Sequence, residues 1–200
     1  MNTADVVVLR FGRHRLPRAL RGLPAADSPD VACRRLIVVG SEADLSTVLT
    51  QLLRADRLDV EVAHVRRLWH ARRALRGRAT RVPLIRDDRG TALVGAAFWL
   101  GESGPEKGSP PVELTGEAVV DDEVLFDGAV TGVRIEPTPT MPGLRASVLS
   151  PRMRPRRWVT GRAAQLGSTG AIVVRDGVMA PRPVRRSTFY RHTEGWLRVL

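Results

Sequence analysis

Gly40-Ser41-Glu42-Ala43-Asp44 follows the apolar run Leu36-Ile37-Val38-Val39 and precedes a stretch with helical spacing. A glycine turn between a buried strand and a helix is where an α/β protein holds a phosphate, because free backbone N–H groups and the helix dipole point outward there. The residue types oppose that use. A phosphate cradle needs glycines so that the backbone can approach, whereas Glu42 and Asp44 place two carboxylates at the same end. They complement the helix dipole themselves, and each would repel a close phosphate by about 1–4 kcal/mol in partly screened surroundings. Ser41 as N-cap, with Asp44 three residues on, makes a capping-box-like pair. Structural capping is therefore the favoured reading, and Gly40 and Ser41 stay as the two candidate nucleotide-contacting positions.

Other reactive residue types do not form constellations. His14, His64, His70 and His192 are scattered, without the i, i+4 spacing or cysteine partners of a zinc site. Cys33 is the single cysteine, so no internal disulfide forms, and its place before an apolar run fits a buried, inert thiol. Gly167-Ser168-Thr169-Gly170 lacks the G-x-S-x-G spacing of a nucleophile elbow and reads as a turn. Asp121-Asp122-Glu123 has oxygen ligands for a divalent cation, but a solvated acidic hairpin is the commoner use. No catalytic residue and no metal ligand is assigned.

Arginine is the abundant chemistry. The formal charge is +11, from 32 basic and 21 acidic residues, and Lys107 is the sole lysine. Residues 62–86 carry eight arginines and no acid, among them Arg66, Arg67, Arg72 and Arg73. Residues 101–140 hold two basic and nine acidic side chains, and residues 141–200 twelve and two. Such alternation predicts faces of opposite sign. Arg154, Arg156 and Arg157 precede Trp158, and Arg185 and Arg186 precede Phe189-Tyr190. Basic and aromatic residues interleaved in this way suit nucleic acid or an anionic membrane surface; core aromatics beside solvated arginines are the plain alternative. These nine arginines are the candidate anion-binding set. Only nine residues are aromatic, which argues against a base-stacking surface of the RNA-binding kind.

The elements that must position these residues can be read from periodicity. Residues 5–9 form a first strand, and residues 13–30, rich in arginine and proline, a loop with one helical turn near 16–20. Residues 35–39 read as a continuous apolar, buried parallel strand. Leu45, Val48, Leu49, Leu52 and Leu53 then share one helix face, and residues 60–65 form the next strand. Strand, helix, strand makes a right-handed βαβ unit. Residues 66–78 predict a short arginine-rich helix. Beyond it, residues 82–85 and 91–100 flank a turn at Asp87-Asp88-Arg89-Gly90, and residues 101–111 read as a surface loop or lobe boundary. Short strands follow at 117–120, 123–126, 130–135, 145–149, 158–160, 171–175 and 197–199, with hairpin turns at Asp127-Gly128 and Asp176-Gly177. Pro137, Pro139 and Pro142 exclude a central strand there. The expected fold is an α/β N-terminal lobe (1–80) with a βαβ unit, then a β-rich, sandwich-like C-terminal lobe (81–200). With 43% hydrophobic residues, no apolar run near the roughly 20 residues of a membrane span and no signal-peptide pattern, a soluble cytoplasmic protein is expected.

Residues 38–49 resemble the signature V-V-G-G-D-G-T-L-N-E-V-V of the diacylglycerol kinase-like lipid kinases. Gly40, Leu45 and the apolar helix positions match without a gap; Ser41, Glu42, Ala43 and Asp44 replace glycine, aspartate, glycine and threonine. A second family motif, P-L-G-T-G-N-D-F-A-R-A-L, falls at residues 64–75. There Arg73, Ala74 and Leu75 match, while Arg66-Arg67-Leu68-Trp69-His70 replaces the G-T-G-N-D core. The resemblance has register over residues 35–75, and Asp176-Gly177 falls in a late hairpin where the family has V-D-G-E. It implies a nucleotide-binding α/β lobe and a β-sandwich lobe that holds the lipid. The family's general base is an aspartate in a D-G-x-L stretch; Asp122 and Asp127 lie in no matching motif, so none is carried over. The expectation is a degenerate relative that binds lipid or another anionic ligand, at the membrane periphery or as an interaction module, without phosphoryl transfer and without a cofactor. The alternatives are a nucleic-acid-binding protein using residues 62–86 and 152–191, and a small lipid kinase with unconventional loops needing ATP and Mg. The oligomeric state is not readable.

Overall fold

A computed structural model describes residues 5–102 and 112–200. The chain divides into two units, Met1–Val82 with Glu194–Leu200, and Pro83–Thr193. It is a mixed α/β, strand-rich fold with two sheets, and two α-helices among the described residues.

In the first unit, β1 (Val6–Arg10), β2 (Ala25–Ala26), β3 (Arg35–Val39), α1 (Glu42–Arg54), β4 (Glu61–Val65), α2 (Ala71–Arg76) and β5 (Ala79–Val82) follow in order. The sheet runs β2-β1-β3-β4, then the C-terminal strand Trp196–Val199, then β5. All pairs are parallel except that between β5 and the C-terminal strand. Every residue of β3 is buried, as a strand covered on both faces must be. On one face Val6, Val8, Ile37, Val39, Ala63 and Val65 pack with Ala71 and Ala74 of α2 and with Val199. The βαβ unit is observed as expected: α1 buries Leu45, Val48, Leu49 and Leu52, with Leu53 half-buried at the stripe's edge. The predicted turn near 16–20 is a single 3-10 turn, Arg18–Leu20, and a second, Leu68–His70, leads into α2.

Two boundaries differ from the sequence pattern. The terminal strand, assigned above to the second lobe, pairs with β4 and β5 in the first sheet, because Trp196 and Val199 bury their side chains there. Alternation shows which side chains of a strand are buried, but not which sheet it joins. Val82 ends β5 instead of opening a hairpin, since Pro83 has no N–H to continue a ladder.

Arg35 is the buried charge in β3 that an apolar reading of that strand overlooks, at 4% exposure. Its Nε donates to Glu61 Oε2 on β4 (2.6 Å), and its Nη atoms donate to the carbonyls of Ala74, Leu75 and Gly77. One guanidinium therefore ties β3, β4 and the C-terminal end of α2, whose last carbonyls lack helical partners. Arg34 shares Glu61 at 2.8 Å.

The second unit contains β6 (Ile85–Asp87), β7 (Ala92–Leu93), β8 (Ala97–Gly101), β9 (Leu114–Val120), β10 (Glu123–Val130), β11 (Gly132–Pro137), β12 (Leu144–Val148), β13 (Val159–Gly161), β14 (Ala163–Arg175), β15 (Val178–Met179) and β16 (Val184–Arg191). They form one antiparallel sheet in the order β13-β12-β11-β8-β14-β16-β6-β7, with β9, β10 and β15 attached through β14. Its core is closed by Trp99 and Phe189, with ring centroids 5.9 Å apart, and by Leu114, Val133, Ile135, Leu144 and Leu166. β8 and β9 lie in the same unit, and residues 103–111 of the expected surface loop or lobe boundary fall outside the described part.

The turns at Asp87–Gly90 and Asp176-Gly177 are where the sequence places them, and Asp176 and Gly177 both take positive φ (47° and 83°). Asp127-Gly128 is not a turn. It lies inside β10, opposite Glu117 and Gly116; the acidic hairpin expected at Asp121-Asp122-Glu123 is where β9 and β10 reverse. Asp121 can hold that turn because its carboxylate accepts the N–H groups of Arg162 and Ala163. Residues 91–100 divide into β7 and β8, where Asp176 accepts from the N–H groups of Val94 and Gly95 between them. Residues 167–170 lie within β14 at a register shift, not in a turn. β16 has no counterpart in the predicted strands, since arginines interrupt its apolar pattern; Ser187 and Phe189 are its buried side.

Removing Glu61 leaves Arg35 buried without its carboxylate, so Glu61→Ala should lower stability by about 3–5 kcal/mol. Glu42→Ala, which breaks only the exposed pair with Arg66, should cost no more than about 1 kcal/mol. Urea unfolding of both variants checks this, and equal effects would contradict it.

Candidate functional site

In an open parallel sheet, ligands bind beyond the carboxyl ends of the strands. At that edge of the first unit, residues 11–21 follow β1, Gly40 and Ser41 follow β3, and residues 66–70 follow β4. The middle position is closed by its own side chains. Asp44 Oδ2 accepts from the Ser41 N–H (2.7 Å) and from the Ser41 hydroxyl (2.8 Å), and Ser41 Oγ accepts from the Asp44 N–H (3.2 Å). A side-chain carbon built on Gly40 would lie 2.5 Å from Asp44 Oδ2, so the carboxylate covers the surface a phosphate would approach. Glu42, beside it, pairs with Arg66 Nη1 at 2.5 Å.

His64, opposite Val38 in the β3–β4 register, completes this corner. Its Nε2 lies 3.0 Å from the Gly40 carbonyl, which can only accept, so the proton sits on Nε2. Burial holds the imidazole below its ordinary value of 6.5, and Arg66 adds to the shift; the Gly40 carbonyl and Glu42 oppose it. Cys33 is half-buried, and burial raises its thiol while Arg57 pulls the other way, as an inert thiol requires.

Beside the closed corner lies an open groove. A cavity of about 600 Å³ has an apolar floor of Leu16, Pro17, Leu68 and Trp69, and carries Arg15, Arg18, Arg21 and Arg72. A smaller hollow continues from it past Arg66 and Arg67 to Val39 and Val65. Among the described residues, no acidic one lines either hollow. Trp69 is 69% exposed and Leu68 52%, with the Arg67 guanidinium 5.1 Å from the indole centroid.

Of the candidate residues, Arg66, Arg67 and Arg72 are gathered here, and Arg73 of α2 is exposed outside the groove. Arg154, Arg156 and Arg157 stand exposed between β12 and β13, where Arg157 pairs with Glu123 at 3.0 Å. Arg185 and Arg186 are exposed on β16. The aromatics near these basic runs are not an open stacking surface: Phe189 is fully buried, Tyr190 lies under Arg86 and Trp158 under Arg145. Sequence reasoning did not single out Arg15, Arg18 and Arg21. Their signal was an arginine-rich loop directly after a buried first strand.

No family model matches the sequence, and no curated protein matches it. Solved structures do match in fold. A candidate diacylglycerol kinase from Bacillus anthracis str. Sterne is 8% identical, with a TM-score of 0.71 over 98% of this chain and 97% of that one. An NAD kinase from Archaeoglobus fulgidus, solved in complex with ATP, is 14% identical, with a TM-score of 0.61 over 98% and 93%. The yeast NADH kinase complexed with NADH is 11% identical, with a TM-score of 0.55 over 88% and 64%. The chain therefore has the fold of the NAD kinase and diacylglycerol kinase-like proteins, over nearly its whole length and not only at residues 35–75. Among the described residues no helix is long and apolar enough to cross a membrane, and no group of His, Cys, Asp and Glu could hold a metal ion.

Because His64 is harder to protonate in the folded chain, the unfolded chain takes up the proton first. The stability tied to neutral His64 is complete above the free value and is lost as pH falls below it. The urea midpoint should therefore fall between about pH 7 and about pH 5. It should fall less in His64→Gln, whose amide can serve the Gly40 carbonyl without titrating; equal falls in both proteins would contradict the assignment.

Proposed function

We propose that this chain binds an anionic amphiphile, a lipid with an acidic headgroup, in the groove of its first unit and does not transfer phosphoryl groups. The observation behind the reading is one juxtaposition: a closed phosphate position beside an open, arginine-rimmed apolar groove. Phosphoryl transfer depends almost wholly on positioning and on stabilising charge around the phosphates. The relatives solved with ATP and with NADH are nucleotide proteins by name, and the fold makes nucleotide binding the first expectation to test. The residues here do not fit that group. Ser41 and Asp44 use each other's backbone donors, and two carboxylates stand where phosphate charge would need to rest.

In the proposed complex, Arg15, Arg18, Arg21 and Arg72 donate charge-assisted hydrogen bonds to the headgroup. Leu16, Leu68 and Trp69 receive the apolar part, the exposed indole taking the place that tryptophan takes at membrane interfaces. Arg67 and Arg66 extend the positive field along the smaller hollow.

Two measurements on the full chain test this. Calorimetry with ATP and Mg should give no binding heat, and sedimentation with vesicles containing phosphatidylserine should pull the protein down. Arg15→Ala combined with Arg72→Ala should weaken vesicle binding about 30-fold, at about 1 kcal/mol per arginine. Micromolar ATP binding with phosphorylation of a lipid would replace this reading by a lipid kinase. Binding to RNA or DNA that weakens steeply with salt, with none to vesicles, would replace it by a nucleic-acid-binding protein.

A further inference from the structure

The second unit has a polar hollow of about 280 Å³ bounded by the β6–β7 turn, the end of β14, the segment after β15, and β16. Four arginines from these four segments line it: Arg89, Arg175, Arg182 and Arg186. Asp88 is the one acid in the lining. Arg175 is ion-paired at the hollow's edge: its Nε lies 2.8 Å from Asp87 Oδ2, out of line for a hydrogen bond, and Asp87 is fully buried. The other oxygen of Asp87 accepts the N–H groups of Arg89 and Thr91, at 3.0 and 2.8 Å. One buried carboxylate thus attracts the guanidinium of Arg175 by charge and holds the turn that carries Arg89 by hydrogen bonds. Ser187 adds a buried hydroxyl to the wall; its oxygen accepts from the Trp99 indole N–H at 3.0 Å, which leaves its proton to donate.

Among the described residues, the four arginines exceed Asp87 and Asp88 by two positive charges. A phosphomonoester carries close to two negative charges near neutral pH, and three acceptor oxygens. The hollow lies below the usual range for drug-sized ligands, so it admits a phosphate with a small substituent. Guanidinium groups give bidentate, charge-assisted contacts to such oxygens. We infer that this hollow is a binding site for the phosphate of a phosphomonoester, borne by a small soluble molecule or by a lipid headgroup.

The test uses the full chain at low ionic strength. Glycerol 3-phosphate is titrated by calorimetry, with dimethyl phosphate as a singly charged control, and vesicles of phosphatidylcholine doped with phosphatidic acid are tested by sedimentation. At least one monoester probe should bind, and dimethyl phosphate should bind at least about tenfold more weakly than glycerol 3-phosphate if that is the ligand. Binding of glycerol 3-phosphate assigns a soluble ligand; binding of the doped vesicles alone assigns a headgroup if it persists in Arg15→Ala combined with Arg72→Ala and is lost when Arg182→Ala and Arg186→Ala are added. Arg182→Ala combined with Arg186→Ala should weaken the binding at least about tenfold, whereas Arg154→Ala with Arg156→Ala should leave it unchanged. Trp69→Ala, in the groove of the first unit, should weaken vesicle binding but leave the binding of glycerol 3-phosphate unchanged, so failure of the proposed function and failure of this site are separable. No binding of either monoester, or equal loss in both arginine pairs, would overturn the inference.

Discussion

The first turn of a helix offers a small set of N–H groups with no helical partner, and each can serve either a ligand or the protein's own side chains. At the start of α1, Ser41 and Asp44 spend these donors on each other. That choice governs what the edge of the sheet can do. A helix that binds phosphate must leave its first turn unserved and tolerate the instability; a helix capped in this way begins firmly at Glu42 and has committed the Ser41 and Asp44 donors. The carboxylate of Asp44 lies over Gly40, and Arg66 is held by Glu42, so the corner is closed by charge as well as by volume.

Closure at β3 shifts attention to its neighbours. The groove between the segments after β1 and β4 depends on where α2 begins and ends, and Arg35 sets the end by gathering the Ala74, Leu75 and Gly77 carbonyls. Arg35 in turn needs Glu61 to be buried at all. A short helix that could not persist alone is thereby held against the sheet, and Leu68 and Trp69 stay at the surface with arginines on either side. Structural economy at Arg35 and chemical opportunity at Trp69 are parts of one arrangement.

The parts that were legible in the sequence are those with local causes. The capping box at Ser41 and Asp44, the stripe through Leu45, Val48, Leu49 and Leu52, and the turn at Asp176-Gly177 each follow from neighbours in the chain. The resemblance at residues 38–49 likewise pointed to the fold that the solved structures share. Non-local facts escaped. Nothing near Arg35 announces that its partners are Glu61 and the end of α2, and nothing near Trp196 says that its strand returns to the first sheet. Asp127-Gly128 looked like a turn because that dipeptide favours one, yet it continues β10; the acidic hairpin at Asp121-Asp122 was legible, but its hold on residues 162 and 163, far along the chain, was not. The arginines of the groove come from segments separated by about fifty residues, so their meeting is a property of strand order, not of spacing.

The N–H groups of Ser41 and Asp44 at the start of α1 are occupied by the chain itself. Nitrogen-15 NMR of the Ser41 and Asp44 amides during titration with ATP and Mg addresses this directly. The account predicts that both resonances stay in place while the ligand is raised to saturating levels for a nucleotide-binding protein. A saturable shift of the Ser41 amide, with release of the Asp44 carboxylate from it, would contradict the account and return this edge of the sheet to phosphate chemistry.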